Sequence, residues 1–291
     1  MILLYNKGEE LLNLCNEQNK KIYEIVIEEE CSLTEHSIEE VRNKMNENLQ
    51  VMIDSANSAL NKKITSISGI TGGDAKKVED YKNSKTTVSG KFINEAMAKA
   101  LSTSEVNASM GKIVAAPTAG ASGILPSALI STAEKFDLSE EDMINGLFTS
   151  AGIGQIIAKN ATISGAEGGC QAECGVASAM AAAAIVEMLG GEAESCLHAA
   201  SFAIINIMGL VCDPVAGLVE YPCALRNASG VINAFVAADL ARAGVKSLVP
   251  FDEVVEAMYK VGKALPYSLK ETALGGLAAT PTGENFKDKV L

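Results

Sequence analysis

Between Thr34 and Met52 the apolar residues Ile38, Val41, Met45, Leu49 and Met52 recur at spacings of 3, 4, 4 and 3, which is one face of an α-helix. The pattern predicts an amphipathic helix with Thr34 as its N-cap and a solvated face of Glu39, Glu40, Arg42, Lys44 and Glu47. Residues 1–64 therefore read as a charged, helical N-terminal segment. From Ser66 to about Gly244 the chain is rich in Gly, Ala, Ser and Thr and poor in long charged side chains. Alternating β-branched runs are scarce, and small residues let helices approach closely, so the expected fold class is all-α, a compact Ala/Gly-rich helical domain.

Boundaries follow from local signals. Ser139 to Asp142 is an S-x-x-D capping signal opening a helix through Lys159, and the run Val176 to Leu189 stops at Gly190-Gly191. Further helices are expected at about 196–209, 227–243 and 252–264, the last ending at Pro266. Residues 277–291 read as a polar, frayed tail. The segments 1–64, 65–276 and 277–291 are taken as parts of one domain, because no linker or repeat divides the middle of the chain.

Composition narrows the function. The 291 residues carry 24 Lys and Arg against 36 Asp and Glu, a formal charge of −12, with no basic stripe, no Trp and 4% aromatic residues. Nucleic-acid binding is not expected, since a phosphate backbone needs clustered cations and bases need stacking platforms. No membrane span is expected either: Ser201 to Val219 is broken by Asp213 and Pro214, and Gly175 to Leu189 is short and carries Glu187. The opening MILLYNKGEE lacks the pattern of a secretory signal, which points to the cytoplasm. The N-x-S/T triplets at Asn107, Asn160 and Asn227 then carry no meaning.

Five of the seven cysteines, Cys170, Cys174, Cys196, Cys212 and Cys223, fall in one stretch. Where Ala is abundant, thiols beside turn residues suggest ligation rather than packing. Cys170 follows Gly168-Gly169, Cys212 precedes Asp213-Pro214 and Cys223 follows Tyr221-Pro222. Cys174 and Cys196 lie in helix-like runs and read as core thiols, while Cys15 and Cys31 look incidental. Spacing alone leaves the bound species open between an iron–sulfur cluster with one open iron, a closed electron-transfer cluster and structural zinc, the last two recruiting Cys174 or Cys196 as fourth ligand.

The segment GKIVAAPTAGASGILPSAL has the form of an anion cradle. Thr118, Ala119, Gly120, Ala121, Ser122 and Gly123 lead into a helix beginning near Pro126, with the hydroxyls of Thr118 and Ser122 as added donors. It lacks the Gly-Lys-Ser/Thr ending of a Walker loop, and Gly152-Ile153-Gly154 lacks the third glycine of a dinucleotide fingerprint. A second glycine turn, SGITGGDA from Ser68 to Ala75, offers similar N–H groups. Pyridoxal phosphate is not expected, since no lysine sits in a Schiff-base context beside a phosphate loop.

Three stretches, APTAGASGILP (Ala116 to Pro126), SGAEGGCQAECGVASAMAAAAIVEMLGG (Ser164 to Gly191) and MGLVCDPVAGLVEYPCALRNA (Met208 to Ala228), resemble the alpha chain of the bacterial iron–sulfur-dependent L-serine dehydratases, and weaker similarity runs through nearly the whole chain. The resemblance implies that Cys170, Cys212 and Cys223 hold a [4Fe–4S] cluster whose fourth iron has no protein ligand, leaving Cys174 and Cys196 free. It implies a largely helical catalytic chain acting on L-serine, with the cluster held by loops between helices, and a second component, the beta chain. Some relatives end in a cysteine that serves as a tail ligand, whereas this sequence ends Lys287-Asp288-Lys289-Val290-Leu291, so that device is not expected here.

On that reading an open iron takes the leaving β-hydroxyl as a Lewis acid, and Thr118, Ala119, Gly120, Ser122 and Gly123 hold the substrate carboxylate. Glu173 is the partner for the substrate ammonium. Arg226 and Asn227 either hold the carboxylate or orient the cluster loop. His198 and Lys112 are weak choices for the general base, which is left unassigned and open to supply by the beta chain.

Overall fold

The computed structural model describes residues 5–290; Met1 to Leu4, the start of the opening MILLYNKGEE, and Leu291, the last residue of the expected tail, lie outside them. Thirteen helices are joined by turns, and among the described residues the only β-pairings are the isolated bridges Thr65–Gly72 and Cys212–Lys270. In chain order the helices are α1 (Gly8–Gln18), α2 (Ile22–Thr34), α3 (Ile38–Asn57), α4 (Asp74–Tyr81), α5 (Gly90–Ala108), α6 (Ile124–Phe136) and α7 (Glu140–Asn160). There follow α8 (Gly165–Gly168), α9 (Cys174–Met188), α10 (Ala193–Asn206), α11 (Cys223–Arg242), α12 (Phe251–Ala264) and α13 (Pro281–Val290). The all-α expectation holds.

Helix α9 is the axis of the molecule. Every residue from Cys174 to Glu187 is buried, and the helix packs on α6, α7, α10 and α11. A helix apolar on all sides has no face to give to water, and its alanines let four neighbours close on it at once. The first helices belong to the same core, which runs without a break from Tyr5 to Met258.

Several boundaries differ from expectation; α10 and α11 begin at Ala193 and Cys223, three and four residues before the expected starts. The helix expected from Thr34 begins at Ile38 with Ser37 as cap. Ser37 Oγ accepts from the Glu40 N–H at 3.3 Å, and Glu40 Oε2 accepts from the Ser37 N–H at 2.8 Å, a reciprocal box that Thr34 has no partner to form. Thr34 instead closes α2, its hydroxyl donating to the Glu30 carbonyl. The Ser139–Asp142 box opens α7 as the sequence indicates.

Another difference is the tail. Gly276–Ala279 forms a turn and Pro281–Val290 a helix packed on the turn Val215–Gly217. Leu277 and Phe286 face Ile70, Val215 and Tyr221 across an apolar cavity. Ala278 and Gly283 are buried beneath this packing, which the polar composition of the tail conceals. Among the described residues no helix is long and apolar enough to cross a membrane.

Candidate active site

Three helix N-termini meet at one place. Cys223 is the first residue of α11, Glu173 and Cys174 open α9, and the turn Ala119–Ala121 leads into α6. The turn packs on both α9 and α11. Each helix start contributes unpaired N–H groups and the positive end of its dipole, so the place favours anions without clustered lysines.

The Cys170 turn is shaped by its neighbours. Gly169 has φ +78°, and a Cβ there would lie 2.7 Å from the Leu210 carbonyl oxygen, so only glycine lets the two strands of chain approach. Gln171 then knots the turn in place. Its Nε2 donates to the carbonyls of Gly168 and Met258, its Oε1 accepts from the Gly209 N–H at 2.8 Å, and its own N–H donates to the Leu210 carbonyl.

Cys212 is fixed from the other end of the chain. Its N–H donates to the Leu269 carbonyl at 2.9 Å, and its carbonyl accepts from the Glu271 N–H at 2.7 Å. Asp213 adds a third tie, its Oδ2 accepting from the Leu277 N–H at 2.7 Å.

Cys170, Cys212 and Cys223 thus come from three segments and stand close enough for each to perturb the charge of the others. All seven cysteines are free thiols. Burial and the facing Cys170 push the Cys212 thiol far up and the Cys223 thiol up to about 12. Cys170 goes the other way: the Cys174 thiol, 3.3 Å from it, and the Arg226 guanidinium hold it below the usual thiol range against its own burial. Gly165 lets Glu173 and Cys212 approach its backbone closely, because a Cβ there would lie 3.0 Å from Cys212 Sγ and 2.5 Å from Glu173 Oε2. Soft thiols drawn together from three segments fit a metal–sulfur cluster in their donor chemistry. Among the described residues no three Cys, His, Asp or Glu side chains close on one point as a single metal ion requires.

Glu173 lies between the thiols and the glycine turn. Its Oε1 accepts from Thr118 Oγ1 at 2.8 Å and its Oε2 is 3.9 Å from Cys212 Sγ. Burial pushes its carboxyl up, opposed by the Thr118 hydrogen bond. The structure therefore brings Thr118, Ala119, Gly120, Glu173 and the three cysteines to one site.

Other expected residues have different engagements. The Ser122 hydroxyl is buried and donates to the Ala119 carbonyl at 2.8 Å, bracing the turn from inside. Asn227 Oδ1 accepts from the Gly123 N–H at 2.8 Å, while its Nδ2 donates to the carbonyls of Gly120 and Cys223. Both amide atoms are spent joining the turn to α11. The helix after the turn begins at Ile124, two residues before Pro126, which sits in its first turn where its missing N–H costs nothing.

Arg226 donates to the Val211 carbonyl and to Asp213 Oδ1. Lys112 is exposed. His198 Nδ1 accepts from the Ser247 N–H at 3.2 Å, in a cavity lined by Lys7, Glu194 and Phe251 that shares no residue with the cysteine site. The second glycine turn is held against the segment before Cys223, where Glu220 accepts from Ser68 Oγ and Thr71 Oγ1. The N–H groups opening α4 are already taken by the Glu105 carboxylate. Gln171 and Asp213 escape sequence reading, since their partners lie far along the chain.

A family described as serine dehydratase alpha chain matches residues 17–278. The L-serine dehydratase alpha chain of Peptoniphilus asaccharolyticus is 56% identical over 284 residues, spanning 98% of this chain and 97% of that protein. The probable L-serine dehydratase alpha chain of Bacillus subtilis is 48% identical over 287 residues, 99% of this chain and 95% of the relative. The L-serine dehydratase of Helicobacter pylori strain J99 is 38% identical over 283 residues, 95% of this chain but 62% of a longer protein. With a family match that runs through all three cysteine segments and relatives aligned nearly end to end, the chain belongs to the serine dehydratase alpha chain family.

Proposed function

We propose that this chain is the catalytic alpha component of a cytoplasmic L-serine dehydratase, an ammonia-lyase releasing pyruvate and ammonia, with a [4Fe–4S] cluster held by Cys170, Cys212 and Cys223. The observation that carries the reading is the meeting of three free thiols from three segments with the Thr118–Glu173 pair, in a chain whose relatives are named for this activity. When bound, the cluster supplies an iron without a protein ligand, a Lewis acid for the β-hydroxyl that must leave.

The chain's own residues bind and orient. Glu173 Oε2, packed beside Gly165, receives the substrate ammonium, while Thr118 holds the other carboxylate oxygen still. The substrate carboxylate lies at the turn Thr118 to Gly123, where the start of α6 favours an anion. Ser122 and Asn227 keep that turn in shape rather than touching substrate. Loss of the α-proton and the hydroxyl leaves aminoacrylate, which water converts to pyruvate and ammonia.

The α-proton needs a base. Lys112 is exposed and His198 faces another cavity, so the base comes from the beta component, in keeping with a longer single-chain relative of which this chain spans 62%.

The 3.3 Å approach of Cys174 to Cys170 favours a second reading, a closed electron-transfer cluster with Cys174 as fourth ligand. One experiment separates the two. The chain is reconstituted anaerobically, analysed for iron and acid-labile sulfide, and assayed for pyruvate from L-serine with and without the beta chain. Cys170→Ala, Cys212→Ala and Cys223→Ala are expected to lose the cluster, and Cys15→Ala, Cys31→Ala and Cys174→Ala to keep it. Zinc or pyridoxal phosphate in place of iron refutes the proposal, and loss of the cluster in Cys174→Ala favours the second reading.

A further inference from the structure

Arg226 stands where the three cysteine segments meet. It follows Cys223 in the first turn of α11, and its guanidinium grips both sides of Cys212: Nη1 donates to the Val211 carbonyl at 2.9 Å and Nη2 to Asp213 Oδ1 at 2.7 Å. The same guanidinium lies beside the Cys170 thiol, close enough for its charge to act on the sulfur. Side-chain exposure is 14% for Arg226 and 4% for Asp213, so the pair is largely out of water.

Such a pair is a poor source of net stability, because desolvation offsets its attraction. What arginine adds over an apolar residue is a rigid fork of donors. Asp213 is itself immobilised, its second oxygen being taken by the Leu277 N–H. The fork is therefore aimed, and the sulfur of Cys170 lies within its reach. A cation and an N–H at a cluster sulfur stabilise the more negative, reduced state and strengthen the hold on iron.

We propose that Arg226, aimed by Asp213, is a positioning residue of the cluster: it donates to Cys170 Sγ, raises the reduction potential and slows the loss of iron. This rests on the cluster reading given above. It assigns Arg226 to the cluster and takes it away from the substrate carboxylate.

The test compares the full chain with Arg226→Gln, Arg226→Lys and Asp213→Asn after anaerobic reconstitution. Midpoint potential is read by electron paramagnetic resonance during a reductive titration, iron loss by the rate of transfer to a chelator, and folding by circular dichroism. Arg226→Gln is expected to shift the potential negative and to lose iron faster. Arg226→Lys, which keeps the charge without the fork, and Asp213→Asn, which keeps the fork without its anchor, are expected to fall between it and wild type. They carry the test if Arg226→Gln does not fold.

Unchanged potential and iron retention in folded variants overturn the inference, and a raised KM for L-serine as the sole effect returns Arg226 to the substrate. A wild-type chain that takes up no iron overturns the cluster reading itself, and this inference with it.

Discussion

Thr118 Oγ1 donates to Glu173 Oε1 across 2.8 Å, joining the glycine turn before α6 to the cysteine turn before α9. Thr118→Val keeps the shape and removes the donor, so Glu173 swings free. A hydrogen bond to a charged group is worth about 1.5–3 kcal/mol, so kcat/KM for L-serine should fall by one to two orders of magnitude with iron content unchanged. Iron analysis beside steady-state kinetics checks it, and loss of the cluster would make Thr118 a structural residue.

Gly165→Ala places a methyl 2.5 Å from Glu173 Oε2 and 3.0 Å from Cys212 Sγ, and one of them must move. Gly165 lies at the start of the short helix α8, where alanine is well tolerated by the backbone. The expected outcome is a folded protein with a strongly reduced kcat. A variant with wild-type turnover would mean that Glu173, packed beside Gly165, does not hold the substrate.

Asn227→Ala removes three hydrogen bonds at once and leaves the Gly123 N–H and the Gly120 carbonyl without partners. Each buried orphan costs about 1–3 kcal/mol, and water entering the gap recovers part of it, so a loss of roughly 2–4 kcal/mol in unfolding free energy is expected. Urea denaturation measures it. A stable variant with a raised KM would instead make Asn227 a substrate ligand.

Glu187 gives a pH dependence far from the cysteines. Its carboxylate, buried at the end of α9, accepts from the Ile22 and Tyr23 N–H groups at 2.7 and 3.2 Å and from the Thr149 hydroxyl. Burial pushes its carboxyl above the ordinary value of 4.5, against those hydrogen bonds. The folded state then binds the proton more tightly than the unfolded one. Its contribution is complete below the unfolded value and is lost as pH rises through the raised folded value. Wild type should therefore lose stability relative to Glu187→Gln as pH rises above 4.5 and through the raised folded value, read as the difference of the two melting temperatures. A difference independent of pH would contradict the raised carboxyl.

The parts of the fold that sequence conveys are those with a local cause. Ser139 and Asp142 sit three apart and cap α7, and the glycine pair after Leu189 ends α9 within a residue or two of the expected place. Cys170, Cys212 and Cys223 could be picked out because Gly and Pro beside them mark turns. The parts it hides depend on partners far along the chain. Thr34 and Ser37 both look like caps, and only the Glu40 side chain decides between them. Arg226 and Asn227 look like ligands because they are polar and near a cysteine, yet their hydrogen bonds run to Asp213, Gly120 and Gly123. The tail looks polar, yet Ala278 and Gly283 are buried in it and α13 packs on the distant turn Val215–Gly217.

The backbone ties of Cys212 to Leu269 and Glu271, and of Asp213 to Leu277, also set an order of events during synthesis. A chain emerging N-terminus first exposes Cys170, Cys212 and Cys223 well before the residues that fix Cys212 have been made. Packing of α9 among α6, α7, α10 and α11 can proceed in that interval, because all five helices precede Leu269 in the chain. Cys212 therefore stays unfastened on a partly formed core until residues 269–277 fold back onto it, and the proposed cluster would be closed in only after that step.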